Sequence, residues 1–233
     1  MSDPERQSGQ GGIGDTEQGG AGWTPEAIRS ALRLPHTFPG PYGDDGARAE
    51  RWLAAVLAVL TPHPEQGVSV LLTRRTPHLY HHPGQISFPG GRVERGESPE
   101  QAALREAQEE VGLAPERVTI LGALPDYVTV TGYRVTPLIA WSDALGPLAP
   151  DPFEVAEVFF TPLAHFADPN RYLRLSLIYD GQPRYYWAAP WRHYFIWGAT
   201  AAMLRQLALR LAACRAGASG SLSQDRASGS SSG

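Results

Sequence analysis

GGRVERGESPEQAALREAQEEVGL, Gly90 to Leu113, carries a full set of helix signals inside a glycine-bounded frame. Ser98 is placed as an N-cap, Pro99 as the first helical residue, and Gln101 as the partner that closes a capping box. Ala102, Ala103, Leu104 and Ala107 are strong helix formers, and Gly112 suits the left-handed residue after a helix end. The spacing predicts a helix over 99–111. At about 100° per residue, Leu104, Ala107 and Val111 fall on a narrow arc expected to face the core. Glu106, Glu109 and Glu110 share another arc at i, i+3 and i+4. Like charges at this spacing cost a helix about 0.2–0.5 kcal/mol per pair. Arg105 projects about 100° away from Glu106, so it is not expected to relieve them. One reading is a solvated acidic face. The other is a hard divalent cation, Mg²⁺ or Mn²⁺, which prefers carboxylate oxygens.

Outward from this segment, the chain of 233 residues divides into a folded part and two tails. Residues 1–22 are rich in Gly, Gln, Ser and Asp, and residues 215–233 in Ser and Gly. Neither stretch can bury enough apolar surface to offset its ordering entropy, so both read as disordered. The domain is expected over 23–214. Thr24-Pro25-Glu26 opens a short helix to about Leu34. Strands are predicted at Ala54–Leu60, Val68–Thr73, Val118–Leu121, Arg134–Trp141, Val155–Phe160, Leu173–Tyr179 and Arg184–Trp187. A helix is predicted at Ala199–Cys214, with Met203, Leu204, Leu207 and Leu211 on one side. Strands interleaved with a few helices give an α/β or α+β class.

Composition excludes several functions. Twenty basic against 24 acidic residues give a net charge of −4, which disfavours nucleic-acid binding through the phosphate backbone. The single cysteine, Cys214, rules out a disulfide framework and is compatible with a reducing cytoplasm. The longest apolar run, Leu53–Leu60, is too short to span a bilayer. No Ser/His/Asp or Cys/His arrangement for a covalent nucleophile is recognisable.

The spacing of Gly91, Glu97, Arg105-Glu106-Ala107-Gln108-Glu109-Glu110 and Gly112-Leu113 resembles, at every fixed position, the box that defines the Nudix hydrolases. A second resemblance lies just upstream. Leu71-Leu72-Thr73-Arg74-Arg75-Thr76 through His82-Pro83-Gly84-Gln85-Ile86-Ser87-Phe88-Pro89-Gly90-Gly91 is similar to the coenzyme A pyrophosphatase signature LLxxRSxxLxxHxGQxxFPGG. Thr76 stands where Ser is commoner. The likeness covers about residues 50–212.

The resemblance implies a mixed β-sheet between helices, with the box forming a loop–helix–loop. It implies hydrolysis of a nucleoside diphosphate linked to another group, with Mg²⁺ or Mn²⁺ as cofactor. For coenzyme A the products are 3′,5′-ADP and 4′-phosphopantetheine. Alternatives are a Nudix pyrophosphatase for ADP-ribose or a dinucleotide, and a non-catalytic nucleotide-binding regulator. By the same resemblance Glu106, Glu109 and Glu110 are metal ligands or near-ligands, with the Gly90 carbonyl as an extra one. Glu109, Glu106 and Glu154 are alternative general bases. Glu97 and Arg105 are expected to pair and orient the helix. Arg75 is a candidate phosphate-binding cation, and His82, Gln85 and Arg134 are further candidate substrate contacts. A zinc site from His78, His81 and His82 lacks a fourth ligand. Phe88 is read as loop packing. The aromatic run Tyr185, Tyr186, Trp187, Trp191, Tyr194, Phe195 and Trp197 suits a core, a homodimer contact or a pantetheine groove, the first two preferred.

Overall fold

β1 (Trp52–His63) is apolar almost throughout, and both of its faces are covered. Such a strand belongs at the centre of a sheet packed on both sides. Its Ala55, Leu57 and Val59 join Ala102, Ala103, Ala107 and Val111 of α2 (Pro99–Val111) in one core cluster. Its Ala54, Ala58 and Leu60 join a larger cluster on the opposite face. That cluster takes in Ile28 and Leu32 of α1 (Pro25–Leu32) and Leu204, Leu207 and Leu211 of α4 (Gly198–Ala227). The computed structural model describes residues 22–35, 43–47, 52–78, 83–179 and 181–227.

β7 (Tyr133–Trp141) runs parallel to β1 along its whole length. β2 (Gly67–Arg75) and β4 (Gly90–Arg92) are antiparallel to β1, at its C-terminal and N-terminal halves. β3 (Ile86–Ser87) and β8 (Val155–Pro162) pair with β2, and β5 (Thr119–Ala123) and β6 (Tyr127–Val128) with β7. After α3 (Leu163–Phe166), a separate antiparallel sheet is built from β9 (Leu173–Tyr179), β10 (Gln182–Trp191) and β11 (Tyr194–Trp197). The mixed sheet between helices that the resemblance implies is therefore present. Among the described residues, no helix is long and apolar enough to cross a membrane.

The seven predicted strands all appear, with shifted ends; the one expected from Val118 starts at Thr119. β3, β4 and β6 have two or three residues each and carry no readable alternation. The last helix, expected to end at Cys214, continues as α4 to Ala227. Extending an existing helix costs little compared with nucleating one, and Arg215 lays its guanidinium 3.6 Å above the Trp23 ring. Residues 1–21 and 228–233, the outer parts of the two expected tails, lie outside the described residues.

Candidate active site

The capping box of α2 forms as its sequence predicts. The Gln101 N–H donates to Ser98 Oγ (3.3 Å) and the Ser98 N–H to Gln101 Oε1 (2.8 Å). Gly112 closes the helix at φ 69°. The buried stripe is Ala102, Ala103, Ala107, Glu110 and Val111, while Leu104 is only half-buried. This corrects the expected core arc. Positions 103, 107 and 110 lie on one line of the helix, so Glu110 shares the core stripe and is 5% exposed.

Glu110 turns toward β4. Its Oε2 accepts the Gly90 N–H at 3.2 Å, and its Oε1 lies 3.6 Å from Arg75 Nη1. Burial pushes its pKa up to about 7, against the opposing pull of the Gly90 N–H and Arg75. Glu106 is also held above the ordinary carboxylate range, chiefly by burial. Its carboxylate packs against Gly91, where a Cβ would occupy the same space. Glu109 points outward, with its side chain 60% exposed.

Arg105 departs from the helical-wheel expectation. Its guanidinium donates to Glu97 (2.9 and 3.1 Å), to Glu106 and Glu109 (3.0 Å each) and to the Arg92 carbonyl (3.1 Å). A wheel gives the direction of Cβ, whereas the long arginine stem carries the charge back over the neighbouring turn. The expected Glu97–Arg105 pair is thus present, and it holds Glu97 below its ordinary range. Arg105 also neutralises part of the repulsion first set aside for a cation.

Arg75 follows a register shift between β2 and β8, and its N–H donates to the Gln85 carbonyl (2.9 Å). Its buried Nε has no hydrogen-bond partner. Arg75, Gln85 and Gly90 all line a cleft of about 540 Å³. Arg75 and Gly90 therefore serve both the cleft and Glu110. Glu154 repels both Glu106 and Glu110 electrostatically, and its carboxylate makes no hydrogen bond or ion pair among the described residues.

The other predicted residues fare unevenly. Arg134 is not part of the cleft wall. It lies on β7 opposite Leu53 of β1 and Val128 of β6. Strand alternation puts it on the same sheet face as Leu138 and Ala140, which pack with α2. His82 and His81 lie outside the described residues. Phe88 is 3% exposed and packs in the core, and it also borders the cleft. The preferred core-or-dimer reading of the aromatic run is corrected in part, because Tyr185, Tyr186 and Trp197 line the cleft. Sequence reasoning missed Asp44, Asp45, Thr129 and Val130, which border it. They are far from the box in the chain, and no local signal marks them.

The donor chemistry here fits a hard divalent ion. Glu106 and Glu110 stand one helical turn apart and are all-oxygen donors, and the Glu106 charge helps to raise the Glu110 pKa. Among the described residues no three acidic, imidazole or thiol groups are gathered around one point. Arg105 touches both Glu106 and Glu109, but Glu109 is the exposed one, so Glu106 and Glu110 are the better-placed pair.

A family model described as the NUDIX domain matches residues 51–178. "Uncharacterized Nudix hydrolase NudL" of Salmonella paratyphi B is 42% identical over 159 residues, covering 68% of this chain and 82% of the relative. The Salmonella newport protein of the same name gives the same figures. A Nudix hydrolase from M. smegmatis, RenU, matches with TM-score 0.44 and 28% identity over 53% of this chain and 81% of that one. An Ap4A hydrolase of C. elegans matches with TM-score 0.42 and 22% identity, covering 48% and 80%.

Proposed function

Since this chain belongs to the Nudix hydrolase family, we propose that it hydrolyses the diphosphate bond of coenzyme A and its derivatives. The products are 3′,5′-ADP and 4′-phosphopantetheine or its acylated form. Enzymes of this family act on small molecules and generally use divalent ions such as Mg²⁺ or Mn²⁺. The observation that carries the reading is the corner where Arg75 and Gly90 border the cleft and also touch Glu110. A diphosphate entering the cleft meets Arg75 and Gly90 there, with the Glu110 carboxylate directly behind them. The narrower choice of coenzyme A rests on the stretch 71–91, whose β2, β3 and following loop form that edge of the cleft.

Glu106 and Glu110 would hold the ion, with the Gly90 carbonyl and Glu109 as further donors. When bound, the ion supplies Lewis-acid stabilisation of charge on the diphosphate oxygens. Arg75 orients the diphosphate, since its unpartnered Nε and the adjacent Nη2 form the side-on fork suited to phosphate oxygens while Nη1 faces Glu110. Arg105 braces the helix through Glu97 and the Arg92 carbonyl, which keeps Glu106 against Gly91. Glu154 takes the proton of the attacking water, because Glu106 and Glu109 are both engaged by Arg105 while Glu154 is not. The P–O bond to the bridging oxygen then breaks and a phosphomonoester leaves.

Purified protein with Mg²⁺ or Mn²⁺ is expected to cleave coenzyme A with a higher kcat/KM than ADP-ribose or a dinucleotide. Equal or better turnover of ADP-ribose would remove the coenzyme A assignment. Binding without turnover of any of them would make the chain a regulator. Glu154→Gln is expected to lower kcat by about 10²–10⁴-fold, the usual worth of a positioned general base, with KM little changed. A variant with wild-type kcat would return the proton to another carboxylate.

A further inference from the structure

We propose that Leu177, Tyr186 and Trp197 seat an apolar chain on the substrate, so that acylated diphosphates are preferred to short or unacylated ones. The proposal rests on the coenzyme A reading above and goes beyond it by assigning chain preference to named residues of the second sheet.

Strand register puts the three side chains on one face. Leu177 lies opposite Arg184, Tyr186 opposite Leu175, and Trp197 opposite Ala188, which in turn lies opposite Leu173. Alternate residues of a strand share a face, and successive rows are about 6.6 Å apart. Tyr186 and Trp197 meet edge to face with ring centroids 5.3 Å apart. All three residues form the wall of the cleft. Beyond it the same face continues outward through Leu173, 48% exposed, and Phe195, 46% exposed, which lies opposite Pro190. The result is an apolar track that begins inside the cleft and runs out onto the surface.

Charge decides which half of a diphosphate ester lies on the track. The diphosphate end is fixed by Arg75, whose buried Nε is unpartnered. The margin where the second sheet meets residues 43–47 carries two carboxylates against one guanidinium. Asp44 accepts from the Tyr127 hydroxyl (2.7 Å) and the Val130 N–H (2.8 Å), and Asp45 accepts from the Tyr185 N–H (3.2 Å). Arg184 lines the cleft opposite Leu177 and donates one N–H to the Asp45 carbonyl (3.4 Å), while its buried Nε has no hydrogen-bond partner; the two carboxylates still outnumber it. A phosphorylated ribose would bring more negative charge to this margin. An uncharged amide arm ending in a hydrocarbon would not, and its tail would cover side chains that are otherwise left in water. An anionic centre and an apolar tail on one molecule match both ends of the cleft.

The test measures kcat/KM for the acetyl and octanoyl thioesters of coenzyme A with Mg²⁺. The octanoyl-to-acetyl ratio is expected to be about tenfold or more in the wild type, the scale set by added methylenes in an apolar pocket. It should fall to within about twofold of unity in Trp197→Ala and in Leu177→Asp. Leu177 is 39% exposed, so Leu177→Asp keeps the test open if Trp197→Ala fails to fold. A wild-type ratio near one, with both thioesters cleaved, overturns the track and leaves the coenzyme A reading standing. An unchanged ratio in a folded variant overturns the residue assignment. Failure to cleave any coenzyme A ester, with ADP-ribose cleaved, overturns both readings together.

Discussion

Glu110→Gln should lower kcat by about three orders of magnitude, and should also make the metal-free protein more stable above pH 7. The first effect follows from removing one charged donor from the ion pair site formed with Glu106. A Lewis-acid contact is worth several kcal/mol, and about 4 kcal/mol corresponds to about a thousandfold in rate. The second effect follows from burial. Folding raises the Glu110 pKa from 4.5 to about 7, with desolvation as the largest cause. Below pH 4.5 the carboxyl is protonated in both folded and unfolded chains, and its contribution is fully present. Between the two values the unfolded chain releases its proton while the folded chain keeps it, so stability is lost as pH rises. Above pH 7 the whole penalty is felt, about 3 kcal/mol at 1.36 kcal/mol per pH unit. Glutamine has no proton to lose and can still accept the Gly90 N–H.

Melting curves at pH 5 and pH 8 in chelator separate these effects. The variant should gain on the wild type only at the higher pH. Added Mg²⁺ should then raise the wild-type Tm more than the variant's, because a ligand stabilises the state that binds it. Glu106 shifts in the same direction for the same cause, so some pH dependence should survive in the variant. Near-wild-type kcat in Glu110→Gln would remove Glu110 from the ion site. Identical Tm values at pH 8 would remove the burial account.

The carboxylate helix was legible in sequence because its signals are local. Ser98, Pro99, Gln101 and Gly112 act within one turn of each helix end, and they act as read. The Glu97–Arg105 pair was legible through the family motif. Two features of the same helix were not. The burial of Glu110 depends on where β4 crosses it, a tertiary fact that no helical period contains. The reach of Arg105 depends on a flexible stem. The cleft was the least legible element, because its walls come from residues 44–45, 75, 85–90, 129–131, 177, 184–186, 197–200 and 203, far apart in the chain. The aromatic run was ambiguous for a related reason. Trp187 is stacked under Arg205 of α4 at 4.1 Å, Trp191 stacks on Tyr194, and only Tyr185, Tyr186 and Trp197 reach the cleft. One stretch of similar residues thus divides between packing and site.

Two adjacent glycines should respond to alanine in opposite ways, because what fills the space beside each differs. At Gly90, φ is 152°, and an added Cβ would sit 2.6 Å from the Val56 Cα and overlap the Ala55 carbonyl oxygen. Both obstacles are backbone of β1, held by the β1–β4 pairing and by the Leu57 N–H donating to the Pro89 carbonyl (2.8 Å). Neither can move without opening the centre of the sheet. Gly90→Ala should cost about 3 kcal/mol, lowering Tm by about 6–12 °C for a domain of this size. At Gly91 the three atoms nearest the added Cβ all belong to the Glu106 carboxylate, the far end of a flexible side chain held by Arg105 at 3.0 Å. That group can swing away for the loss of one partly exposed ion pair, so Tm should fall far less than in Gly90→Ala. The carboxylate then leaves its place beside Glu110, and a displacement of about 1 Å in a reacting constellation can cost about 10²-fold in rate. Gly91→Ala should therefore be folded and slow, and Gly90→Ala unstable. A Gly91→Ala enzyme with wild-type kcat would show that the position of Glu106 does not matter to the reaction. A Gly90→Ala protein melting with the wild type would show that β4 can draw back from β1, which would also release the Gly90 N–H from Glu110.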